Sequence, residues 1–253
     1  MSETPTPQQN HLLAAFPAEA QSRLFPHLEL VRLPLGEVLY ESGDTMRHVY
    51  FPTDSVLSLV TQSGASVEVS VVGSEGLIGV SLLIGGDGIR SRAVVQSAGS
   101  AYRLAGQLLK DELDRNFKMM VLLLHYTRFL IVQAAQPTVC NRHHSIDQQL
   151  CHWLLLSLDR SPGSGLTMTQ QLIANILGVH RAGVTDATSK LQKQGVIEYK
   201  RGQITVLDRP MLEKLSCPCY AVIKNEREAA RQQLLPYLPP YVAQPPQSGV
   251  TVP

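Results

Sequence analysis

Four cysteines and a histidine doublet are the reactive side chains with suggestive spacing. Cys217-Pro-Cys219 offers two thiolates, half of a tetrahedral metal site or the two arms of a disulfide, and only Cys140 and Cys151 remain to complete a set. So irregular a spacing is read here as a structural thiol pair with no metal, redox pairing of the two being left open. His143 and His144 fall in the polar run CNRHHS, which reads as a solvated hinge, and His125 falls in a helical stretch. A nucleophile elbow, a phosphate loop and an H-E-x-x-H motif are all missing. The β-rich region holds only His27 and His48, where a cupin-type enzyme wants an H-x-H cluster. The chain is therefore read as a non-enzyme, with the cupin as a minor alternative.

Binding chemistry is better served. From Met168 to Arg209 the chain reads MTQQLIANILGVHRAGVTDATSKLQKQGVIEYKRGQITVLDR. Thr169 can cap a short helix whose apolar side is Leu172, Ile173, Ile176 and Leu177, and Gly178 stands where a left-handed residue is wanted. A second helix would turn Val184, Ala187, Thr188 and Leu191 inward. Its outer face is then Arg181, Ala182, Thr185, Asp186, Ser189 and Lys190, short or polar side chains able to enter a major groove. Two β runs around Lys200, Arg201 and Gly202 follow, a hairpin with a basic tip suited to phosphate. This is a winged helix-turn-helix. Arg181 is assigned to guanine and Asp186 to cytosine, Thr185, Ser189 and Lys190 to the same groove face, and Thr169, Gln170, His180, Lys200 and Arg201 to phosphates.

The elements that must position this segment lie upstream. Between Leu28 and Leu104, β-branched runs alternate with Gly, Asp, Ser and Pro turn signals, predicting six to eight strands in an antiparallel jelly-roll barrel flanked by short helices. A helix is predicted over 116–136, where Phe117, Met120, Leu124, Thr127, Ile131 and Ala134 step by three and four, the seam of a coiled coil. Leu123, Tyr126 and Leu130 form a second apolar face for the barrel. A helix apolar on two sides needs two partners, and the second is read as the same helix of another subunit. Pro137 is expected to end it, and a further helix spans 146–158.

In this order of parts, TQQLIANILGVHRAGVTDATSKLQKQGVI followed by RGQITVLDR resembles the helix-turn-helix of the Crp/Fnr family of bacterial transcription regulators, and the similarity extends back to about residue 15. The resemblance implies an α+β chain: a flexible tail (1–10), a cyclic-nucleotide-binding-like sensor (11–115), a dimerisation helix and hinge (116–140), a winged helix-turn-helix (141–216) and a C-terminal extension with a Pro-rich tail (217–253). It implies double-stranded DNA and a second copy of the chain as partners, with RNA polymerase as a further one. Two departures stand out. The family's Arg-Glu with a later Arg is here Arg181-Ala182 with Asp186, so DNA binding carries over while the target sequence does not. In VGSEGLIGVSLLIGGDGIRSRAVV, Gly79-Val80 replaces the Gly-Glu pair that holds a ribose in cyclic-AMP-binding members. The resemblance places the effector pocket at Gly76, Gly79, Val80, Arg90, Ser91 and Arg92. An anion or nucleotide is favoured there over cyclic AMP, and no cofactor is fixed. The family's N-terminal iron–sulfur cysteines have no counterpart in residues 1–50. A C-terminal domain serving protein interaction is the other open reading.

Composition agrees with a soluble globular protein: 44% hydrophobic, 17% charged and a net charge of +1 over 253 residues. Residues 1–140 hold 10 Lys/Arg against 13 Asp/Glu, whereas 141–215 hold 9 against 6. Neutrality is thus a cancellation between an acidic sensor and a modestly basic reader, and pairing two readers would double the positive side. With no signal-peptide pattern in MSETPTPQQN and an apolar stretch (119–135) broken by His125 and Arg128, a cytoplasmic protein without membrane contact is expected.

Overall fold

The computed structural model describes residues 5–62, 66–83, 91–161, 163 and 165–234. Part of the expected flexible tail is held in place. Pro7–Gln9 form a turn of 3-10 helix, and the fully buried Asn10 caps α1 (His11–Ala14) by accepting from the Leu12 and Leu13 amides. The Asn10 amide group donates to Pro52 O (2.9 Å) and Gly76 O (2.8 Å), so one buried side chain satisfies four backbone groups. A second short helix, α2 (Ala18–Leu24), leads into the sheets.

Seven strands follow among the described residues: β1 (Glu29–Leu33), β2 (Val38–Tyr40), β3 (His48–Pro52), β4 (Val56–Gln62), β5 (Ser66–Val72), β6 (Ser91–Ser97) and β7 (Gly99–Ala105). They pair antiparallel as β1-β7-β3 and β2-β6-β4-β5. Alternation puts Ala93 and Val95 of β6 inward with Leu33, Tyr40, Leu57, Val72, Ile78 and Ala101, an apolar filling between the sheets. After β5 come α3 (Val80–Leu83) and, after β7, α4 (Gly106–Arg115).

The long helix α5 runs Phe117–His143, seven residues past the expected end. Pro137 removes one intrahelical bond, that to the Gln133 carbonyl, at a cost of about 3 kcal/mol. Packing offsets it: Cys140 beyond the proline is buried, and the C-terminal helix α10 (Cys219–Leu234) lies along α5. The turn comes instead at His144, in extended backbone, and Ser145 with Gln148 forms a capping box that opens α6 (Ile146–Leu158). By length and mean hydropathy α5 could cross a bilayer, but Met119, Leu122, Leu123, Tyr126 and Phe129 on one side belong to the protein core.

Residues 149–158 of α6 are all buried, making it the axis of the reader domain. Around it stand β8 (Gly165–Thr167), α7 (Gln170–Leu177), α8 (Arg181–Lys193), β9 (Ile197–Lys200), β10 (Gln203–Val206) and α9 (Arg209–Leu215), with the strands ordered β8-β10-β9.

Candidate nucleic-acid interface and sensor site

Thr169 caps α7 as the sequence predicts, its hydroxyl accepting from the Leu172 amide at 3.2 Å. Gly178 takes the left-handed conformation (φ 67°, ψ 32°), and the Val179 amide reaches back to Ala174 O at 3.0 Å, closing the turn. Ile173, Ala174 and Ile176 are buried, but Leu172, expected on the apolar side, is 40% exposed, and Leu177 is half-buried. On α8 the buried set is Val184, Ala187, Thr188 and Leu191, which leaves Arg181, Ala182, Asp186, Ser189 and Lys190 exposed on the outer face.

The ten assigned residues are not equally free. The Thr185 hydroxyl lies 2.8 Å from Gln170 Oε1 and 3.0 Å from Arg181 O, so Thr185 and Gln170 brace the two helices against each other. Lys190 Nζ pairs with Asp147 Oδ2 of α6 at 2.8 Å, an exposed contact worth about 0–1 kcal/mol that a phosphate can displace. Thr169, His180, Arg181, Asp186, Ser189, Lys200 and Arg201 are exposed. Arg201 (φ 51°) and Gly202 (φ 80°) form the two-residue turn between β9 and β10, both left-handed as a type I′ turn requires. Arg201 is the one non-glycine residue with positive φ among those described, and an L side chain there costs about 1–2 kcal/mol. Stability alone would place Asn or Gly at this tip.

Five of the six residues assigned to an effector pocket are among those described, and residues 84–90 between them are not. A Cβ on Gly76 would fall 2.2 Å from the Tyr126 ring, so α5 covers this glycine. Gly79 (φ 118°) packs on Val49 and Met46, and Val80 begins α3 and packs on the main core. Arg92 lies on the face of β6 opposite Ala93 and Val95 and pairs with Glu41 (Nε to Oε1, 3.1 Å). Ser91 sits opposite Thr61 at the end of the strand, and Arg90 is outside the described residues. Among the described residues, apolar side chains fill the space between the two sheets, and the Arg92 guanidinium already has a carboxylate.

The loop between β5 and α3 is instead tied to its surroundings at every step. Ser74 O accepts from the His11 amide (2.7 Å), Gly76 O from Asn10, and Leu77 O from the Tyr126 hydroxyl of α5 (2.8 Å). Ile78 pairs with Tyr50, and Glu75 makes an ion pair with Arg160 at the end of α6 (2.5 Å). One sensor loop therefore touches both the long helix and the reader.

A second link lies between β5 and α6. Glu68 accepts from Ser58 Oγ and from Trp153 Nε1 (3.2 Å) beside a cavity of about 60 Å³ that His152 and Cys140 also line. Burial lifts its carboxyl to about 7; the bonds from Ser58 and Trp153, then Arg160, pull the other way. With a folded pKa above the unfolded value, this group's stabilisation is present below about pH 4.5 and lost as pH rises through 7. Glu68→Gln is thus expected to raise stability by about 2–3 kcal/mol at pH 8 and by little at pH 4.5, read as urea midpoints of both chains at the two pH values. An equal gain at both would show that the burial of charge is not what the substitution relieves.

The thiols converge unexpectedly. Cys140 Sγ is 3.5 Å from Cys217 Sγ, Cys219 Sγ is 3.6 Å from His144 Nδ1, and Cys217 Sγ is 3.4 Å from His152 Nδ1. Cys151, weighed above as a partner for Cys217 and Cys219, stands apart on α6, while His144, read as a solvated hinge residue, joins the cluster.

An antiparallel two-sheet sensor, a long helix and an exposed winged helix-turn-helix define a class of two-domain DNA-binding regulators. Residues 30–116 match the cyclic nucleotide-binding domain and residues 148–215 the Crp-like helix-turn-helix domain, together more than half of the chain. The chain belongs to the Crp/Fnr family of transcription regulators. No curated protein matches it. Among solved structures it is similar in fold to a putative Crp/Fnr-family transcriptional regulator from Eubacterium rectale (TM-score 0.66, 15% identity, 82% of this chain and 98% of that one). FixK2 from Bradyrhizobium japonicum gives 0.63, 16%, 75% and 98%, and the c-di-GMP-responsive regulator CLP from Xanthomonas campestris 0.59, 15%, 75% and 98%.

Proposed function

We propose that the chain acts in the cytoplasm as a homodimeric regulator that reads a palindromic operator with two α8 helices, under control of the sensor domain. The observation that carries this is the outer face of α8: polar, free of bulky apolar side chains, and flanked by a wing whose strained Arg201 is explained by phosphate contact better than by stability. In this reading Arg181 takes guanine O6 and N7, Asp186 accepts from cytosine N4, and Lys200, Arg201, His180 and Thr169 hold phosphates. The match to a cyclic nucleotide-binding domain supports a nucleotide or other anionic effector. Val80 in place of a carboxylate and an Arg92 already paired with Glu41 favour one other than cyclic AMP.

Selection of bound duplexes from a randomised pool, with and without cyclic AMP, tests both parts. The expected outcome is a two-fold symmetric motif with half-sites about 10 base pairs apart, unchanged by cyclic AMP. Arg181→Ala is expected to flatten one position of each half-site, a loss of about 1–3 kcal/mol in discrimination. An unaltered motif from Arg181→Ala would remove the base-reading role.

A further inference from the structure

The end of α5 and the junction of α9 with α10 bring three thiols and an imidazole into one small volume. Cys140 lies in the last turn of α5 and His144 is the residue that ends the helix, its amide donating to Cys140 O at 3.0 Å, while Cys217 precedes α10 and Cys219 opens it. One potential ligand atom from each, three Sγ and one imidazole nitrogen, lie within 4.8 Å of one another, and the three cysteines are buried. A tetrahedral ion with Zn–S near 2.3 Å and Zn–N near 2.0–2.1 Å sets its ligand atoms about 3.8 Å (S···S) and about 3.5 Å (S···N) apart. The 3.5 Å between Cys140 and Cys217 and the 3.6 Å between Cys219 and His144 are edges of that size. A polynuclear iron–sulfur cluster puts several atoms between its thiolates and needs a wider cage.

We propose that Cys140, His144, Cys217 and Cys219 bind one zinc ion, which fastens α10 to the end of the long helix at the turn into the reader domain. Three acidic groups in one buried space are poorly served without a cation. Cys217 Sγ stands 3.5 Å from Cys140 Sγ and 3.4 Å from His152 Nδ1 in this buried space. A divalent ion lets all three ionise, their protons passing to solvent, and the N-terminus of the 16-residue α10 adds positive potential at Cys219. His152 remains the outer-shell partner of Cys217. Cys217 and Cys219 fall just past the family domain that ends at residue 215, so two of the four ligands come from the C-terminal extension.

The test uses the full-length reduced chain, stripped of metal and titrated with Co2+ and then Zn2+. Expected are one Co2+ per chain with the thiolate charge-transfer and d–d bands of a tetrahedral thiolate site, displaced by Zn2+, and a higher melting temperature with zinc. Cys217→Ser and His144→Ala are each expected to weaken zinc binding more than about 100-fold, beyond the range of outer-shell losses, and Cys151→Ala to leave it unchanged. No tetrahedral cobalt spectrum from the wild-type chain overturns the proposal, whatever the variants do. So does equal loss with Cys151→Ala, or a Cys140–Cys217 disulfide that forms as readily with zinc as without it.

Discussion

Leu124→Glu together with Ile131→Glu is expected to convert the protein to a folded monomer whose operator affinity falls by about 10²–10⁴-fold, the advantage of joining two heads. Both side chains stand in solvent in the single chain, at 58% and 65% exposure, with Phe117 at 79% and Met120 at 36% in the same row. Steps of three and four from Phe117 to Ala134 carry this stripe about 25 Å along α5. So long an apolar row is a liability in a monomer, and in the proposed dimer a second copy of the helix would cover it through like residues. Since neither Leu124 nor Ile131 supports the core of its own chain, the substitutions should change the melting of an isolated subunit little. Sedimentation gives the mass and a fluorescent operator the affinity. A variant that still sediments as a dimer would place the interface elsewhere.

Local signals were legible wherever one residue carries one backbone requirement. Gly178 marks the left-handed turn, Thr169 the cap, and the spacing of Val184, Ala187 and Leu191 the buried side of α8. Long-range competition was not legible. Pro137 carries a strong local signal for a helix end, but burial of Cys140 and the α10 packing outweigh it, and the error spread further. A helix ended near 136 leaves Cys140 and His144 in a loose polar run, and only its continuation to His143 sets Cys140 and the capping His144 beside Cys217 and Cys219. The sensor shows the same long-range dependence. A resemblance assigns Gly76 and Arg92 by position, and it is Tyr126, fifty residues after Gly76, and Glu41, fifty-one before Arg92, that set what these two residues touch. Leu172 is exposed because the inward arc of the short α7 is narrower than its run of apolar residues.

The sensor loop and the reader meet most tightly at Glu75 and Arg160, and there the largest loss of stability is expected. The Arg160 side chain is fully buried, with Nε 2.5 Å from Glu75 Oε1 and Nη1 donating to Leu156 O at 2.9 Å. Burial pushes the Glu75 carboxyl up, but Arg160, helped by Arg227, more than reverses this and holds it below its ordinary value. The pair therefore stabilises above the ordinary carboxylate pKa, and its contribution is lost as pH falls through the depressed one. Arg160→Met strands a buried carboxylate and is expected to cost about 3–5 kcal/mol at pH 7. Once Glu75 loses its cation, burial raises its pKa, so the deficit should shrink as the pH is lowered and the acid takes up a proton. Adding Glu75→Gln should restore most of the stability at pH 7, because a neutral pair needs no counter-charge. The double variant then separates folding from control. With stability recovered and the ionic tie between loop and α6 gone, operator affinity should still differ from that of the wild type if this tie sets the reader's orientation. Identical affinity in the two chains would leave the pair a structural contact alone, and the Tyr126 hydroxyl on Leu77 O would then be a route still joining the loop to α5.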